Sequence, residues 1–308
     1  MDAGYAVGVI TNQSTLESKK ITLQQLKTKV EKVCTLLKCE PFFLIAGYHD
    51  VFRKPLRGSF QYLQGIVSVP LTAENCFFCG DMVGRNNSKN TSDANFARNC
   101  RIPVYDPDVL FKSTQLLPAT STPYPKLLFD PTVLKETPAV DIRPQIHSGN
   151  KQEIVLLVGP PASGKSTFCE DFFADYERVN QDTLKTFAKC KKAAKGMIQN
   201  GKSVVIDNTN GSVEIRRKWI DLASELKVPI RAVVLDVSKP LAEHLNAFRS
   251  IGLSGDGRYV PTVAINMFFS RYKTPKKEEG FQRIDTVPFI PKSFTSKEEE
   301  DFFYSVTY

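Results

Sequence analysis

The chain has 308 residues, of which 42% are apolar, so it can form about two domains with ordinary hydrophobic cores. Its formal net charge of +8 is compatible with a polyanionic partner such as nucleic acid. Seven cysteines lack the spacing of a disulfide framework, which favours a reducing compartment inside the cell. No apolar stretch approaches the ~20 residues of a membrane span, so no membrane partner is expected.

Strand and helix patterns alternate in the first part of the chain. Apolar runs predict strands at residues 5–10, 42–46 and 76–79, and the last of these carries Cys76 and Cys79 as strand residues. Between the first two strands, apolar residues at three- and four-residue spacing predict a helix: Leu23, Leu26, Val30, Val33 and Leu37. This alternation is typical of an α/β domain with a parallel sheet, which we assign to residues 1–116.

Six prolines interrupt the patterns between residues 117 and 150, and this segment is predicted to be an extended linker. The patterns resume at Ile154, with strands predicted at residues 154–158, 203–206 and 231–236. Helical stretches separate these strands, so residues 151–308 are predicted to form a second parallel α/β domain. The charged run at 297–301 is predicted to be a solvated helix or a frayed end.

Residues 159–166 read G-x-x-x-x-G-K-S, between an apolar strand and a predicted helix. That context is typical of a phosphate-binding loop, whose backbone N–H groups surround phosphate oxygens. Lys165 would reach the terminal phosphates of ATP and Ser166 would ligate Mg²⁺. The alternative is an ordinary Gly-rich turn. The residues predicted to contact ATP are Gly159, Ser163, Gly164, Lys165, Ser166 and Thr167.

Acidic and amide residues follow two further strand patterns of the second domain. Asp182 is placed to accept a proton from an attacking hydroxyl, and the alternative is that it caps the helix starting at Thr183. Asp207 directly follows an apolar strand and would orient the acceptor hydroxyl or a Mg²⁺-bound water, with Asn210 as a further donor. The alternative for this stretch is a polar turn.

Arg249 shares a face of a predicted helix with Asn246, three residues earlier. An arginine there could clamp the β- and γ-phosphates while charge develops during transfer. A surface salt bridge is the alternative interpretation of the same residue.

Taken together, these motifs resemble the polynucleotide kinase 3′-phosphatase family. The segments that carry the resemblance are G-P-P-A-S-G-K-S, V-N-Q-D-T-L, V-V-I-D-N-T-N, H-x-N-x-F-R and E-G-F. The resemblance implies a haloacid-dehalogenase-like phosphatase domain followed by a phosphate-loop kinase domain. It further implies transfer of the ATP γ-phosphate to 5′-hydroxyl ends of DNA or RNA, in DNA strand-break repair.

In the kinase half, the resemblance implies that Lys165 and Asp182 are catalytic and that Asp207 lies at the acceptor site. It also implies that Arg249 is a lid arginine and that Arg216 contacts the substrate strand. Gln181 replaces the family arginine before Asp182, and Leu245 and Ala247 replace an asparagine and an arginine. Losing two cations should weaken the binding of a polyanion.

Nearby lysines could compensate for these replacements. Lys185 lies one helical turn beyond Gln181 and is the first candidate. The lysine cluster that follows is interpreted either as a solvated helix face or as a track for the nucleic-acid backbone. Its members are Lys185, Lys189, Lys191, Lys192 and Lys195.

The first half is similar to the family's phosphatase domain from the second motif onward. Thr11 and Asn12 end a T-N-Q strand and would hold the substrate phosphate. Lys54 lies in F-R-K-P and would neutralise that phosphate. Asp81 matches a Mg²⁺ ligand and Asp93 a second acidic position.

The first phosphatase motif, D-x-D-G-T, does not occur in these 308 residues. It supplies the nucleophilic aspartate and lies on the central strand, so we expect an incomplete sheet and an inactive phosphatase. The family's forkhead-associated domain is not found either, so recruitment of repair scaffold proteins is not expected. The resemblance implies a nuclear location, with the cytoplasm as the alternative because no import signal is visible.

Two competing functions stay open on the sequence alone. One is a phosphate-loop kinase of a small metabolite. The other is a non-catalytic module that binds DNA ends. Competition by free nucleosides would favour the first, and binding of ends without phosphate transfer would favour the second.

Overall fold

A computed structural model describes residues 4–37, 41–85, 90–113, 117–118, 120–136, 146, 152–250, 260–291 and 294–307. Within these residues the chain forms two compact units. The first comprises residues up to 132 together with the C-terminal segment from Phe294, and the second comprises residues 133–249 and 259–293. Residues 119, 137–145 and 147–150 of the predicted linker lie outside the described residues.

The elements of the first unit are β1 (Gly8–Asn12), α1 (Ser14–Glu17), α2 (Leu23–Leu37), β2 (Phe42–Ala46), α3 (Gly58–Ile66), β3 (Phe78–Cys79), α4 (Ser92–Cys100), β4 (Val104–Tyr105) and α5 (Pro107–Leu110). Those of the second are β5 (Ile154–Val158), α6 (Lys165–Phe172), β6 (Glu177–Val179), α7 (Gln181–Leu184), α8 (Phe187–Gln199), β7 (Val204–Ile206), α9 (Val213–Leu226), β8 (Ile230–Asp236), α10 (Lys239–Ser250), α11 (Thr262–Arg271) and β9 (Arg283–Pro288). The C-terminal helix is α12 (Lys297–Ser305), and short 3₁₀ turns cover Pro131–Glu136 and Lys277–Glu279.

The described strands of the first unit form two separate parallel pairs, β1–β2 and β3–β4. The sequence predicts a sheet interrupted at its centre, and the structure has two pairs in place of one continuous sheet. A core around Phe60, Phe96 and Val104 lies beneath β3 and β4. In contrast, α2 buries only Leu26 among its described residues. Val30 and Val33 are half-buried and Leu23 and Leu37 are exposed, so its apolar stripe is only partly covered.

The first unit extends beyond its predicted end at residue 116 and also includes the C-terminal segment. The first part of the predicted linker packs against β4 and the residue pair before it. Thr122 N donates to Val104 O at 2.8 Å, and Tyr124 Oη donates to Ile102 O at 2.6 Å. The segment 294–307 was assigned to the second domain, yet it groups with the first. Buried hydrogen bonds between Asn99 and Thr307 account for this placement.

The second unit is a five-stranded parallel sheet in the order β6-β7-β5-β8-β9. β5 lies at its centre and every one of its residues is buried, as expected for a strand covered on both faces. Trp219 of α9 and Ile206 of β7 are fully buried in the main core. The loop after β5 therefore emerges at the carboxyl edge of the sheet, between the ends of β7 and β8, where ligands bind in such folds.

None of the helices in the described part of the chain is both long and apolar enough to cross a lipid bilayer.

Candidate active sites

The loop after β5 is shaped by backbone conformations that restrict its residue types. Gly164 has φ +81° and Ala162 has φ 64°, so two residues of the loop lie in the left-handed region. A Cβ atom at Gly159 would lie 2.9 Å from Ser163 Oγ and 3.3 Å from Leu235 Cβ, which leaves no room for a side chain. This curled backbone leads directly into α6, whose N-terminus favours anions.

Lys165 extends back into that loop. Its Nζ donates to Pro160 O at 2.6 Å, to Gly159 O at 3.1 Å and to Ser163 Oγ at 3.3 Å. Burial lowers the pKa of Lys165 to about 8, the negative charges of Asp207 and Asp182 oppose this shift, and the positive charge of Arg249 adds to it. The ammonium is thus desolvated, and its hydrogen-bond acceptors in the described part of the chain are neutral, so phosphate oxygens would be stronger partners for it.

Three predicted residues from separate elements therefore lie close enough to Lys165 for their charges to act on it: Asp182, Asp207 and Arg249. Asp207 follows β7, Asp182 lies in α7 and Arg249 lies near the end of α10. Thr167 is half-buried in the first turn of α6. The parallel sheet brings these elements to one edge.

The carboxylate of Asp207 is almost fully buried and meets the hydroxyl of Ser166. Ser166 Oγ donates to Asp207 Oδ2 at 3.0 Å. The same oxygen accepts from Arg178 Nε at 2.9 Å and Nη2 at 2.5 Å, and from Asn180 Nδ2 at 3.2 Å. Burying a carboxylate is costly unless donors such as these pair with it. A hydroxyl and a carboxylate at this spacing are oxygen ligands of the type that Mg²⁺ prefers.

Asp182 is not the residue that caps its helix. Asn180 takes that place, because its Oδ1 accepts from Asp182 N at 2.7 Å and from Thr183 N at 3.4 Å. The capping alternative for Asp182 is therefore wrong, and its exposed side chain is left for another role. Lys185 ends α7 with φ 70° and its Nζ donates to Asp182 O at 2.6 Å.

The structure does not place Arg216 where it could contact a substrate strand. Its side chain is fully buried and forms a two-pronged ion pair with Glu279, at 2.8 Å and 2.7 Å. Its Nη1 donates to Lys273 O at 2.8 Å and Gly211 O at 3.0 Å. With these donors engaged, Arg216 joins α9 to the segment before β9. The prediction of a substrate contact is corrected accordingly.

Asn210 is likewise almost fully buried, and its Nδ2 donates to Leu157 O at 2.7 Å and Asn208 O at 3.2 Å. The amide ties the loop after β7 to the central strand. Asn210 therefore stabilises the backbone of the site. The sequence predicts instead that its side chain offers a donor to the substrate.

In the first unit, three predicted residues meet at the strand ends. Asn12 and Lys54 exchange two hydrogen bonds, each 2.9 Å, between the Asn12 amide and the Lys54 backbone. Lys54 Nζ lies 2.7 Å from Asp93 Oδ1, and Asp93 Oδ2 accepts from Met82 N at 3.1 Å. A Cβ atom at position 80 would lie 2.4 Å from Asp93 Oδ2, so only glycine allows this approach.

The other two predicted residues, Thr11 and Asp81, lie near the carboxyl ends of β1 and β3. Thr11 Oγ1 accepts from Gln13 Nε2 at 2.9 Å, and Asp81 is exposed at the end of β3. The unit thus brings a lysine, an asparagine and the carboxylate of Asp93 together at its strand ends, which is a suitable environment for a phosphate group.

Sequence reasoning missed the contributions of Arg178 and Asn180. Arg178 lies in β6 and Asn180 directly follows that strand, whereas their partner Asp207 follows the neighbouring strand β7, 29 and 27 residues away. Asn180 carried a signal, since asparagine directly before a helix is a common cap. Arg178 carried none, because its pairing depends on strand register.

Comparison with known proteins agrees with both halves. The family model described as polynucleotide kinase 3 phosphatase matches residues 1–111, and an AAA domain model matches residues 185–275. A bifunctional polynucleotide phosphatase/kinase from Schizosaccharomyces pombe is 35% identical over 287 residues, covering 92% of this chain and 69% of the relative.

The chain belongs to the bifunctional polynucleotide phosphatase/kinase family. A bifunctional polynucleotide phosphatase/kinase homologue from Acanthamoeba polyphaga mimivirus is 29% identical over 318 residues. The match covers 92% of this chain and 75% of the viral protein. Membership of the phosphatase/kinase family makes the chain a phosphotransferase with an α/β fold in both halves.

Proposed function

We propose that this member of the phosphatase/kinase family is an ATP-dependent polynucleotide 5′-hydroxyl kinase. The observation that carries the proposal is the position of Lys165, buried within the phosphate loop and within electrostatic reach of Asp182, Asp207 and Arg249. This arrangement supplies a phosphate donor site, two carboxylates and a second cation at one sheet edge.

We assign Mg²⁺ to Ser166 and Asp207. The fit rests on their 3.0 Å contact and on the donor chemistry, because a hydroxyl and a buried carboxylate are hard oxygen ligands. When bound, the metal would neutralise charge on the phosphates. In the first unit, the exposed Asp81 is the proposed ligand of a phosphatase Mg²⁺.

In the proposed reaction, Asp182 accepts the proton of a 5′-hydroxyl while that oxygen attacks the γ-phosphorus of ATP. The bond to the β–γ bridging oxygen breaks and ADP leaves. Lys165 turns its donors from loop carbonyls to phosphate oxygens, and Arg249 stabilises the charge that develops during transfer. Gly159, Ser163, Gly164 and Thr167 shape the loop that surrounds the phosphates.

The proposed path of the acceptor strand leaves Asp182 over α8. This helix contains four lysines and no acidic residue, and Lys185 precedes it. Lys189 and Lys192 are exposed on the face opposite the buried Cys190 and Ala194. These cations support a backbone contact that would offset Gln181 and Ala247, where the family has arginines.

We further propose that the acceptor is a DNA or RNA end, that the chain acts in DNA strand-break repair, and that it is nuclear. The family resemblance supports these assignments. Microscopy of the tagged chain after strand breakage tests them, and exclusion from the nucleus would contradict both the location and the repair role.

The decisive experiment is transfer of labelled γ-phosphate from ATP to a 5′-hydroxyl oligonucleotide. The parent chain should transfer phosphate, while Lys165→Ala and Asp182→Asn should lose at least a hundredfold in rate. Asp175→Asn, which changes another exposed aspartate, should match the parent.

Competition distinguishes the alternatives in the same assay. Preferred phosphorylation of free nucleosides or small metabolites would replace the proposal with a metabolite kinase. Tight binding of ends without transfer would replace it with an end-binding module.

A further inference from the structure

Asn180 links the backbone of Asp182 to the carboxylate of Asp207 in the proposed kinase site. Its Oδ1 holds the backbone N–H of Asp182 at 2.7 Å, and its Nδ2 donates to Asp207 O at 2.8 Å and to Asp207 Oδ2 at 3.2 Å. One side-chain amide therefore contacts both the turn that carries the proposed base and the carboxylate that faces Ser166.

The surrounding backbone leaves this amide with little freedom. Asp207 N donates to Val179 O at 2.9 Å. This bond holds the end of β7 against the end of β6, directly before Asn180. Gln181 N donates to Asn208 Oδ1 at 2.8 Å, which fixes the next residue of the turn. Asn180 is half-buried between these contacts.

The amide carries its acceptor and its two-proton donor on separate atoms, which suits it to both sets of contacts. A serine, threonine or aspartate at this position could accept the Asp182 and Thr183 N–H groups, since all three are good helix caps. Aspartate has no donor for Asp207, and the single O–H of serine or threonine, on a shorter side chain, cannot replace the two bonds that Asn180 Nδ2 makes to Asp207. Aspartate would instead place a second negative charge against the buried carboxylate of Asp207, which is unfavourable.

We propose that Asn180 is a positioning residue that sets the proposed base, Asp182, relative to the Ser166–Asp207 pair. The proposal rests on the proposed function for its kinetic consequence, but not for its effect on metal binding. Its role in capping α7 and its role in coupling the two carboxylates are separable by substitution.

Asn180→Asp keeps the cap and removes the donor, while Asn180→Ser keeps the cap and replaces the NH₂ group by one O–H on a shorter side chain. A residue that only caps would tolerate both changes. Coupling predicts that kcat falls roughly tenfold or more in each, because small displacements of reacting groups are costly. KM for the oligonucleotide should stay near the parent value. Thr186→Ala is the control, since Thr186 caps α8 through Lys189 N and its loss removes a cap alone.

A second readout does not depend on catalysis. Calorimetry of ADP binding with and without Mg²⁺ measures how far the metal strengthens nucleotide binding. In Asn180→Ser this strengthening should shrink by about tenfold, as for other residues that orient a metal ligand. Thermal unfolding should show Asn180→Ser no less stable than Thr186→Ala.

The outcomes separate the two proposals. If the parent transfers phosphate and both Asn180 variants keep its kcat and its Mg²⁺ effect, Asn180 is only a cap and the inference is overturned. If the parent fails to transfer phosphate but Asn180→Ser still loses the Mg²⁺ effect, the acceptor assignment fails and the positioning role stands.

Discussion

Asn99 and Thr307 hold each other through three buried hydrogen bonds although 208 residues separate them in the chain. Asn99 Nδ2 donates to Thr307 O at 2.9 Å, and Asn99 Oδ1 accepts from both Thr307 N and Thr307 Oγ1 at 3.0 Å. The same amide donates to Pro55 O at 2.8 Å. The C-terminal segment is thereby fastened next to the Lys54–Pro55 loop of the first unit.

Asn99→Ala should therefore destabilise the first unit by about 2–3 kcal/mol, because buried polar groups of Thr307 and Pro55 lose their partner. Hydrogen exchange of the α4 amides would report the change, since Asn99 lies in that helix. Asn75→Ala removes an amide that serves an exposed turn and should have a much smaller effect. Unchanged α4 exchange in Asn99→Ala would show that the segment contributes no stability.

A second prediction concerns the buried pair of Arg216 and Glu279. Arg216→Leu should lower the free energy of unfolding of the second unit by roughly 3–5 kcal/mol, because Glu279 is left as an unpaired, largely buried charge. The protein has one tryptophan, and Trp219 lies in the same helix as Arg216. Its fluorescence during urea unfolding measures the effect.

The neighbouring residue supplies the control for this test. Arg217 forms an exposed pair with Asp221 at 2.9 Å, so Arg217→Ala should change stability by no more than about 0.5 kcal/mol. A stable Arg216→Leu protein whose nucleic-acid binding is weakened would restore the original prediction of a substrate contact.

The lysines that lead away from Asp182 give a prediction about salt dependence. Lys185→Ala, Lys189→Ala and Lys192→Ala should each weaken oligonucleotide binding and reduce the slope of log K against log salt by about one per lost phosphate contact. Binding measured from low to moderate salt gives that slope directly.

Lys202 precedes β7, at the opposite end of that strand from Asp207, and is exposed. Lys202→Ala should leave the slope unchanged. Equal slopes in the parent and in all three variants would favour the alternative that this lysine face is only solvated.

Much of the sheet was predictable because its strands carry unbroken apolar runs. The predicted bounds of β2 and β5 match the structure, and those of β7 and β8 differ by one residue. In contrast, β9 was missed, because Arg283 and Asp285 give it a polar face. The strand predicted at 76–79 is reduced to Phe78–Cys79, and β4, with only two residues, gave no pattern.

The candidate site was predictable where a motif fixes backbone shape, as in the loop from Gly159 to Ser166. It was not predictable where a side chain finds its partner through tertiary packing. The family resemblance implied a substrate contact for Arg216, but its partner Glu279 lies 63 residues away in the chain. An arginine can be buried when a carboxylate pairs with it. Sequence spacing does not reveal a carboxylate that comes from so distant a part of the chain.

The last prediction concerns the phosphatase half. A polypeptide of these 308 residues contains no D-x-D-G-T motif, and the described carboxylates at its phosphate cluster do not replace a nucleophile. Asp93 is held by Lys54 and by Met82 N, so its oxygens are engaged. Asp81 is exposed and directly precedes Met82 in the chain.

We therefore expect no release of phosphate from a 3′-phosphate oligonucleotide above background, and no change on Asp81→Asn. Kinase activity of the same preparation would show that the protein is folded, and the S. pombe relative would serve as the positive control. Release that disappears in Asp81→Asn would contradict the prediction, because it would show that the remaining carboxylates suffice for the chemistry.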